Sequence, residues 1–560
     1  MKKALSSVLI TGLLLGAVQM AAAQKAAAPQ PVAVVSIAGI DSILKDVNTL
    51  ANAAGLGAEA APLALAGAQA QAFGLDTKKP WGAVVFLNTA APKGFAFIPV
   101  SNFQQLLNMG KALNVPIVDA GNGLYSVVGP QGNKVFLKEQ NGWLFVAPSE
   151  DNLADLPADP STLLEGLNKL YTFAIKANIK NVPADMRNQL VSLIKAGAQG
   201  GLRRLPGEDE TQFNLRQKMI DLQIDQFGTV LDQTEQFTLG WSTDSVAKKT
   251  AIDINMTAIA GSELAKRYAS SAIKSDFNGF NSPDSAATLH FAQKMDADSI
   301  KQVGQALENA RANAMKGIDN DNSIPNEDGK KMVKEIVNQL FDVAKATIEA
   351  GKIDGGAVLH LAGKNLTFAA GAAVADGAAI ESALKKLVEI AKNEPDFPGV
   401  NFDVEKYQGI RFHTTSIPNP DPQAQQIFGE KIDVALGIGD KSAYLAVGKD
   451  TIKTLKSIID KSAAATSENT LPAEFAISLG QVLNFTSQFD QNPVLASVAA
   501  EVAKVGAQDH VRVQSKSIPN GATAHIEVEE GVLRAIGAGI KSGMGGRAGG
   551  GAAPNGLKTF

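Results

Sequence analysis

The sequence contains no cysteine among its 560 residues. This absence excludes disulfide bonds, thiolate nucleophiles, cysteine-ligated zinc and iron–sulfur clusters. It also excludes a lipoprotein anchor, which is attached through a cysteine at the mature N-terminus. A chain of this length can build its cores without disulfides, so the absence is compatible with an oxidising compartment.

Positive charge is also scarce, because 52 Lys and Arg residues stand against 56 Asp and Glu residues and give a formal net charge of −4. A mildly acidic surface repels phosphate backbones, so we expect no nucleic-acid partner. Beyond the N-terminus no stretch of 18 consecutive apolar residues occurs. We therefore expect no transmembrane span in the mature protein.

The N-terminal 23 residues follow the pattern of a secretory signal peptide. Lys2 and Lys3 form a positive start, an apolar stretch runs from Ala4 to Val18, and small residues precede Gln24. The apolar stretch is interrupted by polar residues and is shorter than the roughly 20 residues that a membrane span needs. The sequence therefore predicts an exported protein, periplasmic or extracellular, with residues 24–31 as a flexible lead-in.

Beyond the lead-in, a series of apolar strands and helices occurs twice in the same order. The string Gly82–Leu87 (GAVVFL) is matched by Gly356–Leu361 (GAVLHL), and Phe173–Ile175 (FAI) is matched by Phe475–Ile477. An ordered series of this kind indicates an internal repeat. We predict two tandem, divergent copies of one domain, over residues 32–273 and 285–542.

Each predicted copy mixes strands with amphipathic helices. Turn pairs such as Asn122-Gly123 and Asn141-Gly142 favour a largely antiparallel sheet, so the fold class is α+β. Residues 208–236 have helical apolar spacing and are predicted to be a helical insertion in the first copy. Residues 274–284 have the composition of a linker, and the Gly/Ala-rich residues 543–560 are predicted to be a disordered tail.

All five histidines fall in the second predicted copy, and none stands four residues from another, as a helical metal pair requires. Four are predicted to lie in strands and one at a strand's border: His290, His360, His413 and His525, and then His510. A site formed by strand histidines stays an alternative. Asp41 and Asp298 open predicted helices, and we interpret both as N-caps rather than catalytic acids.

Three motifs resemble ligand-binding loops but lack essential parts. The G-x-G-x-x-A strings at residues 55–60 and 543–548 lack the strand–turn–helix context of a dinucleotide site, the first following a helix and preceding an alanine-rich loop. Asp319, Asp321 and Ser323 begin like a calcium loop, but Ile324 and Lys330 replace its glycine and its last acid. We predict a helix–helix loop there, capped by Asn326 or Asp328.

Carboxylates cluster at two places, residues 208–210 and Glu527, Glu529 and Glu530. We interpret the first cluster as a solvated loop and the second as the wet face and end of a strand. No G-x-S-x-G elbow, Walker loop or H-E-x-x-H motif occurs. No catalytic, cofactor-binding or metal-binding residue is therefore predicted, and no cofactor.

The predicted signal peptide, the tandem strand–helix copies, the absence of cysteine and phrases such as Gly74–Trp81 (GLDTKKPW) carry a resemblance. In these features the chain resembles the large uncharacterised exported proteins common in planctomycete-type bacteria. The resemblance concerns general organisation over most of the mature chain. It implies no established activity and supplies no site residues.

Three functions stay open from the sequence. The first is an exported cell-envelope protein that acts as a non-enzymatic binding or structural module, with another envelope protein as partner. The second is a carrier of a lipid or another hydrophobic ligand, held between amphipathic helices and a curved sheet. The third is a hydrolase with an unrecognised site.

Overall fold

A computed structural model of the chain describes residues 30–87, 92–128, 132–271, 273–321, 324, 326–392, 397–465, 471–490 and 492–548. The chain forms two compact units, the first of residues 1–266 with 518–525 and the second of residues 267–517 with 526–560. The predicted signal peptide and most of the lead-in lie outside the described residues. No described helix is both long and apolar enough to cross a bilayer.

The first unit contains a sheet in which the strand pairs given below are all antiparallel. Its strands are β1 Ala33–Ile37, β2 Trp81–Phe86, β3 Lys93–Pro99, β4 Ile117–Gly121, β5 Leu124–Val128, β6 Lys134–Gln140, β7 Trp143–Ala147, β8 Phe173–Ala177, β9 Thr234–Asp244 and β10 Lys249–Ala258. Neighbouring strands pair in the order β4–β5–β6–β7–β3–β2–β1–β8–β9–β10. The predicted antiparallel α+β class is therefore confirmed for this unit.

Helices occupy the intervals between these strands. They are α1 Ile40–Ala53, α2 Gly57–Ala72, α3 Phe103–Ala112, α4 Leu167–Leu170, α5 Ala184–Gly201, α6 Glu210–Gln233 and α7 Glu263–Ser271. Two expectations are wrong here. Gly39, not Asp41, is the N-cap of α1, and Asp41 lies in the first helical turn. The alanine-rich segment after Gly57 is a helix rather than a loop, because alanine has the highest helix propensity.

The second unit also contains an antiparallel sheet. Its strands are β11 Ala287–Lys294, β12 Lys352–Ala362, β13 Asn365–Ala373, β14 Asn401–Tyr407, β15 Ile410–Pro418, β16 Lys431–Ile438, β17 Ser442–Gly448, β18 Ala473–Ser478 and β19 His510–Ile518. They pair in the order β14–β15–β16–β17–β13–β12–β11–β18–β19. A further strand, β20 Gly521–Val528, crosses the boundary between the units.

The helices of the second unit are α8 Ala297–Asn320, α9 Glu327–Glu349, α10 Gly377–Ala391, α11 Pro422–Phe428, α12 Thr451–Ala464, α13 Leu479–Thr486, α14 Pro493–Ala503 and α15 Glu530–Ala548. The N-cap of α8 is Asp296, whose carboxylate accepts the Ser299 N–H at 2.7 Å, so the prediction for Asp298 is wrong by two residues. Asn326 caps α9, one of the two predicted alternatives. Helix α15 extends into the predicted tail as far as Ala548, and residues 549–560 lie outside the described part.

Each unit packs an aromatic ring directly on a strand glycine. In the first unit a Cβ atom on Gly82 would overlap the ring of Phe97 and lie 2.6 Å from Leu164. In the second, a Cβ atom on Gly356 would lie 2.7 Å from Phe280. Both phenylalanines are fully buried. The missing side chain lets the ring reach the backbone, which is why glycine occupies these interior strand positions.

The segment 274–284 is part of the second unit's core rather than the linker that its composition predicted. Phe277 and Phe280 are buried within it and pack against Tyr444. The Ser275 hydroxyl donates to the buried carboxylate of Asp354, which also accepts the Asp276 N–H at 2.8 Å. The prediction is wrong because Asn, Gly, Ser and Pro form tight packed turns as readily as linkers.

Candidate functional site

Helices α5 and α6 of the first unit form a pair in which few side chains are buried. Helix α5 has no buried residue, and Ile224 is the one buried side chain among the described side chains of α6. Polar contacts join the two helices, such as Lys195 to Asp225 at 3.4 Å and Arg187 to Asp232 at 2.8 Å. Several large apolar residues of the pair are left exposed to water.

Large apolar side chains are exposed on both helices. We name the following set the α5–α6 apolar surface: Leu190, Leu193, Ile194, Met219, Leu222 and Phe227. The three on α5 are spaced i, i+3 and i+4, so they share one helical face. Leu193 is 71% exposed and Leu222 is 50% exposed. Exposed apolar residues gathered on one element are typical of a surface that another molecule covers.

Three ionisable side chains meet in the second unit at the ends of β19 and β20. We name Asp509, His510 and Glu529 the junction cluster. The Nδ1 atom of His510 lies 3.0 Å from Oδ1 of Asp509 and 3.3 Å from Oε2 of Glu529. Asp509 and His510 are both buried, and Glu529 is half-buried. Buried charges of this kind are costly unless they are paired.

Hydrogen bonds from the chain orient the junction cluster. Oδ2 of Asp509 accepts the Ser478 hydroxyl at 2.8 Å and the Gly480 N–H at 2.7 Å. Oε2 of Glu529 accepts the backbone N–H of His510 at 2.8 Å. The neighbouring carboxylates, first Asp509 and then Glu529, raise the pKa of His510 to about 9, although burial opposes the charge. Burial raises the pKa of Asp509, but the ion pair with His510 and the hydrogen bond from Ser478 outweigh it and leave that pKa lowered.

The junction cluster does not have the geometry of a serine hydrolase. In a catalytic triad the histidine lies between the serine and the carboxylate and removes the serine proton. Here the hydroxyl of Ser478 donates to the carboxylate of Asp509, which itself lies between Ser478 and His510. Ser478 also accepts the Gln481 N–H as the N-cap of α13. The hydroxyl is therefore a structural donor.

A second cluster of three ligand-type side chains lies beside α10. Glu381, Asp403 and His413 each place a ligand-type atom within 4.8 Å of the other two. Oε2 of Glu381 lies 2.5 Å from Arg411, and Oε1 lies 2.6 Å from Lys385. Nδ1 of the buried His413 accepts the backbone N–H of Asp403 at 3.0 Å. Two cations already neutralise Glu381, so this cluster is an ion-pair network.

The other three histidines have unrelated surroundings. His290 on β11 is buried, and burial lowers its pKa. Nδ1 of His360 on β12 lies 3.2 Å from the Ser285 hydroxyl, and Nδ1 of His525 on β20 lies 2.6 Å from Asp253. Within the described residues, the predicted alternative of a shared histidine site is reduced to the two carboxylate clusters that contain His413 and His510.

The residues of the loop motifs make structural contacts or lie in helices. Asp319 lies in the last turn of α8 and pairs with Lys334, while Lys330 donates to the backbone carbonyl of Asp319 at 2.8 Å. Ser323 lies outside the described residues. The string at residues 55–60 spans the turn after α1 and the start of α2, and residues 543–548 belong to α15. Neither follows a strand, so neither forms a dinucleotide site.

The sequence interpretation missed the burial of one carboxylate at the start of α15. Glu529 and Glu530 were expected on the wet face and end of a strand, but Glu530 is buried and pairs with Arg534 at 2.7 Å, and Glu529 is half-buried. The adjacent Asp509-His510 pair was the available signal, since both residues offer ligand atoms. Its partner Glu529 is 19 residues further along the chain, and only the fold joins them. No protein-family model, curated protein or solved structure matches this chain.

Proposed function

We propose that this chain is an exported cell-envelope protein that binds another protein through the α5–α6 apolar surface and performs no chemistry of its own. The observation that carries the proposal is the exposure of six large apolar side chains on a helix pair that buries one described residue of its own. Covering a leucine of this kind contributes about 1.5–3 kcal/mol. A partner surface would supply that burial.

The charge pattern of α5 supports a protein partner. From Asn188 to Gly201 the helix carries no carboxylate, and its single cation, Lys195, is paired with Asp225 of α6. A helix face that only meets water normally carries charges of both signs. The cores of protein–protein interfaces are depleted of charge and rich in large apolar residues.

We also infer that the two units descend from one duplicated domain. The second ladder has the order of the first with ten added to each strand number, from β4 and β14 to β9 and β19. Helix pairs fall in corresponding intervals, α1–α2 with α8–α9 and α5–α6 with α13–α14. Shared strand order and helix placement support common descent.

Export is supported by the N-terminal sequence, with its two lysines, its apolar stretch and the small residues Ala21–Ala23. The protein isolated from its native cells should begin at Gln24. N-terminal sequencing of the periplasmic and extracellular fractions measures this directly. An intact chain that begins at Met1 in the cytoplasmic fraction contradicts export.

The two alternative functions receive less support from the described residues. Two open grooves, of about 540 Å³ beside α10 and about 380 Å³ between α8 and α9, are each lined by several charged residues. A lipid carrier needs a more enclosed cavity without those charges instead. A serine hydrolase needs an accessible nucleophile beside a histidine; Ser478 has a carboxylate in place of the histidine, and the Ser285 hydroxyl that faces His360 belongs to a buried residue.

The binding proposal is tested by photo-crosslinking in native cells. A photoreactive residue at position 193 should give a discrete adduct with a partner protein. Leu190→Glu, introduced in the same chain, should abolish that adduct because it places a charge on the same face of α5 as position 193. The matched control is a photoreactive residue at Val246, an apolar residue 92% exposed in the turn between β9 and β10. Equal adducts from positions 193 and 246, or an adduct unaffected by Leu190→Glu, contradict the proposal.

A further inference from the structure

Three oxygen atoms converge on one nitrogen in the junction cluster. Nδ1 of His510 lies 3.0 Å from Oδ1 of Asp509, 3.1 Å from the carbonyl oxygen of Ala507 and 3.3 Å from Oε2 of Glu529. A protonated Nδ1 has a single N–H, which can point well at one of the three. The three oxygens are hydrogen-bond acceptors, so none of them can donate a hydrogen bond to another.

In the described part of the chain, the arrangement leaves one carboxylate oxygen of Asp509 without a hydrogen bond. Its Oδ1 atom is fully buried and has no hydrogen-bond partner among the described groups, even though Nδ1 of His510 is 3.0 Å away, because the two are not aligned for a hydrogen bond. The residue as a whole is 4% exposed. A buried carboxylate oxygen without a donor is strongly unfavourable, and a cation placed between the converging atoms would satisfy it.

The distances from Nδ1 of His510 to the three oxygens match those between ligands of one small metal ion. Nitrogen and oxygen ligands lie about 2.1 Å from a zinc-sized ion. Two such ligands that subtend an angle of about 90–110° at the ion are therefore about 3.0–3.4 Å apart. The three distances from Nδ1 of His510, 3.0, 3.1 and 3.3 Å, all fall in this range.

We propose that Oδ1 of Asp509, Nδ1 of His510 and Oε2 of Glu529 bind one divalent transition-metal ion, with the Ala507 carbonyl oxygen as a fourth ligand. The imidazole ligand selects a transition metal over calcium or magnesium, which prefer oxygen alone. The two carboxylates balance the charge of a divalent ion. This inference is independent of the binding role proposed for the α5–α6 apolar surface, which lies in the other unit.

The groups around the cluster have the arrangement of a supporting shell. The Ser478 hydroxyl and the Gly480 N–H hold Oδ2 of Asp509, which leaves Oδ1 directed at Nδ1 of His510. The backbone N–H of His510 holds Glu529. Hydrogen bonds to ligating carboxylates fix their orientation and raise metal affinity. The exposed residues 506–508 border the buried ligands and provide a route for the ion.

The cluster beside α10 lacks these properties, although it has the same three residue types. Arg411 and Lys385 lie at 2.5 and 2.6 Å from the two oxygens of Glu381, so positive charge already occupies the place of an ion. In the junction cluster Arg512 lies 3.4 Å from Oε1 of Glu529. This oxygen is not one of the proposed metal ligands, which include only Oε2 of Glu529. The α10 cluster is therefore an internal comparison for the test.

The experiment uses the full mature chain, stripped with a chelator and dialysed against Zn²⁺. We expect one Zn²⁺ per chain by metal analysis and a rise in melting temperature on Zn²⁺ addition. His510→Gln and Glu529→Gln should each weaken binding by at least about tenfold. Glu529→Gln keeps an oxygen that can accept the His510 N–H, so it guards against a folding defect. His360→Gln is the matched control and should bind Zn²⁺ like the wild type.

Substitution with Co²⁺ gives a second measurement. Visible absorption from the bound Co²⁺ should report nitrogen and oxygen ligands, and it should be lost in His510→Gln but kept in His413→Gln, if that variant folds as judged by circular dichroism. An absence of stoichiometric Zn²⁺ binding by the wild type overturns the proposal and assigns the cluster to a protonated histidine between two carboxylates. Binding that both junction variants retain overturns it as well.

Discussion

The two units make the same strand-to-helix connection with different side chains. In the first unit, where β10 leads into α7, the Ile259 N–H donates to the carbonyl of Gln233, the last residue before β9, at 2.8 Å. In the second, where β20 leads into α15, the Glu529 N–H donates to the carbonyl of His510 at 3.1 Å. The side chain of Gln233 accepts the Leu264 N–H, a neutral hydrogen bond. The second unit places the junction cluster at this point.

The comparison indicates that the junction cluster is not required by the fold. The first unit closes the corresponding connection with the Gln233 amide, the Ser262 hydroxyl and backbone groups, all of them neutral. Buried ion pairs commonly contribute little to stability relative to neutral groups of similar shape, because desolvation offsets their attraction. A buried trio of ionisable groups in one unit and a neutral amide in the other therefore favours a ligand-binding role, as proposed above.

The largest expected effects concern what the two units share. Phe280→Ala in the second unit and Phe97→Ala in the first should each lower the free energy of unfolding by about 3–5 kcal/mol, because each leaves a cavity over a strand glycine. Denaturant unfolding followed by circular dichroism measures both. Asp284→Asn, an exposed change in the same segment as Phe280, is the control and should cost less than about 0.5 kcal/mol. A cost for Phe280→Ala as small as that of the control would break the comparison between the cores.

The next effect distinguishes the junction cluster of the second unit from the neutral connection around Gln233 in the first unit by the cost of losing one side chain. Asp509→Ala should lower the free energy of unfolding by about 3 kcal/mol, because it leaves the Ser478 and Gly480 donors and the buried His510 without their carboxylate. Gln233→Ala removes one neutral hydrogen bond and should cost about 1 kcal/mol. Both values come from the same denaturant titration of chelator-treated protein. Equal costs would mean that the ionic junction is energetically no different from the neutral one.

Much of the fold was predictable from the sequence because strand alternation and turn residues act locally. The apolar string Gly82–Leu87 lies mostly on β2, Trp81–Phe86, and α6, Glu210–Gln233, covers most of the helical segment predicted at residues 208–236. Local signals were less exact at helix starts. Two residues separate Asp298 from the true cap, Asp296, because either aspartate could accept from the first turn and the chain's entry into α8 selects one.

The candidate site could not be predicted because its parts are joined by the fold. Asp509 and His510 are adjacent, but Ser478 and Glu529 reach them from distant strand ends. The burial of the glutamates could not be predicted either. An alternating strand pattern predicts that a glutamate faces solvent, whether or not a helix covers it in the fold. The predicted linker failed for a related reason, because the packing of Phe280 against Tyr444 depends on residues more than 150 positions apart.

A smaller effect is the pH dependence of the unfolding free energy, which should differ between the junction cluster and the connection around Gln233. In chelator-treated protein, the pKa of His510 is raised to about 9, chiefly by Asp509 and then Glu529, with Arg512 opposing. A group with a raised pKa stabilises the fold fully below its unfolded pKa, near 6.5, and loses that contribution as pH rises through about 9. The difference in unfolding free energy between wild type and His510→Gln should therefore shrink from pH 6.5 to pH 10. The effect of Gln233→Ala should stay constant, and a constant difference for His510→Gln would contradict the assigned pKa.

The smallest expected effect concerns the helix pairs, where the units differ in length. The first unit has 18- and 24-residue helices in α5–α6, whereas the corresponding pair in the second, α13–α14, has 8 and 11 residues. Leu193→Glu on the longer pair should change the free energy of unfolding by less than about 0.5 kcal/mol, because the side chain is already in water. Val246→Glu should behave alike. A large loss for Leu193→Glu alone would mean that this leucine is covered within the protein, and the extra length of α5–α6 would then be explained by internal packing rather than by a partner.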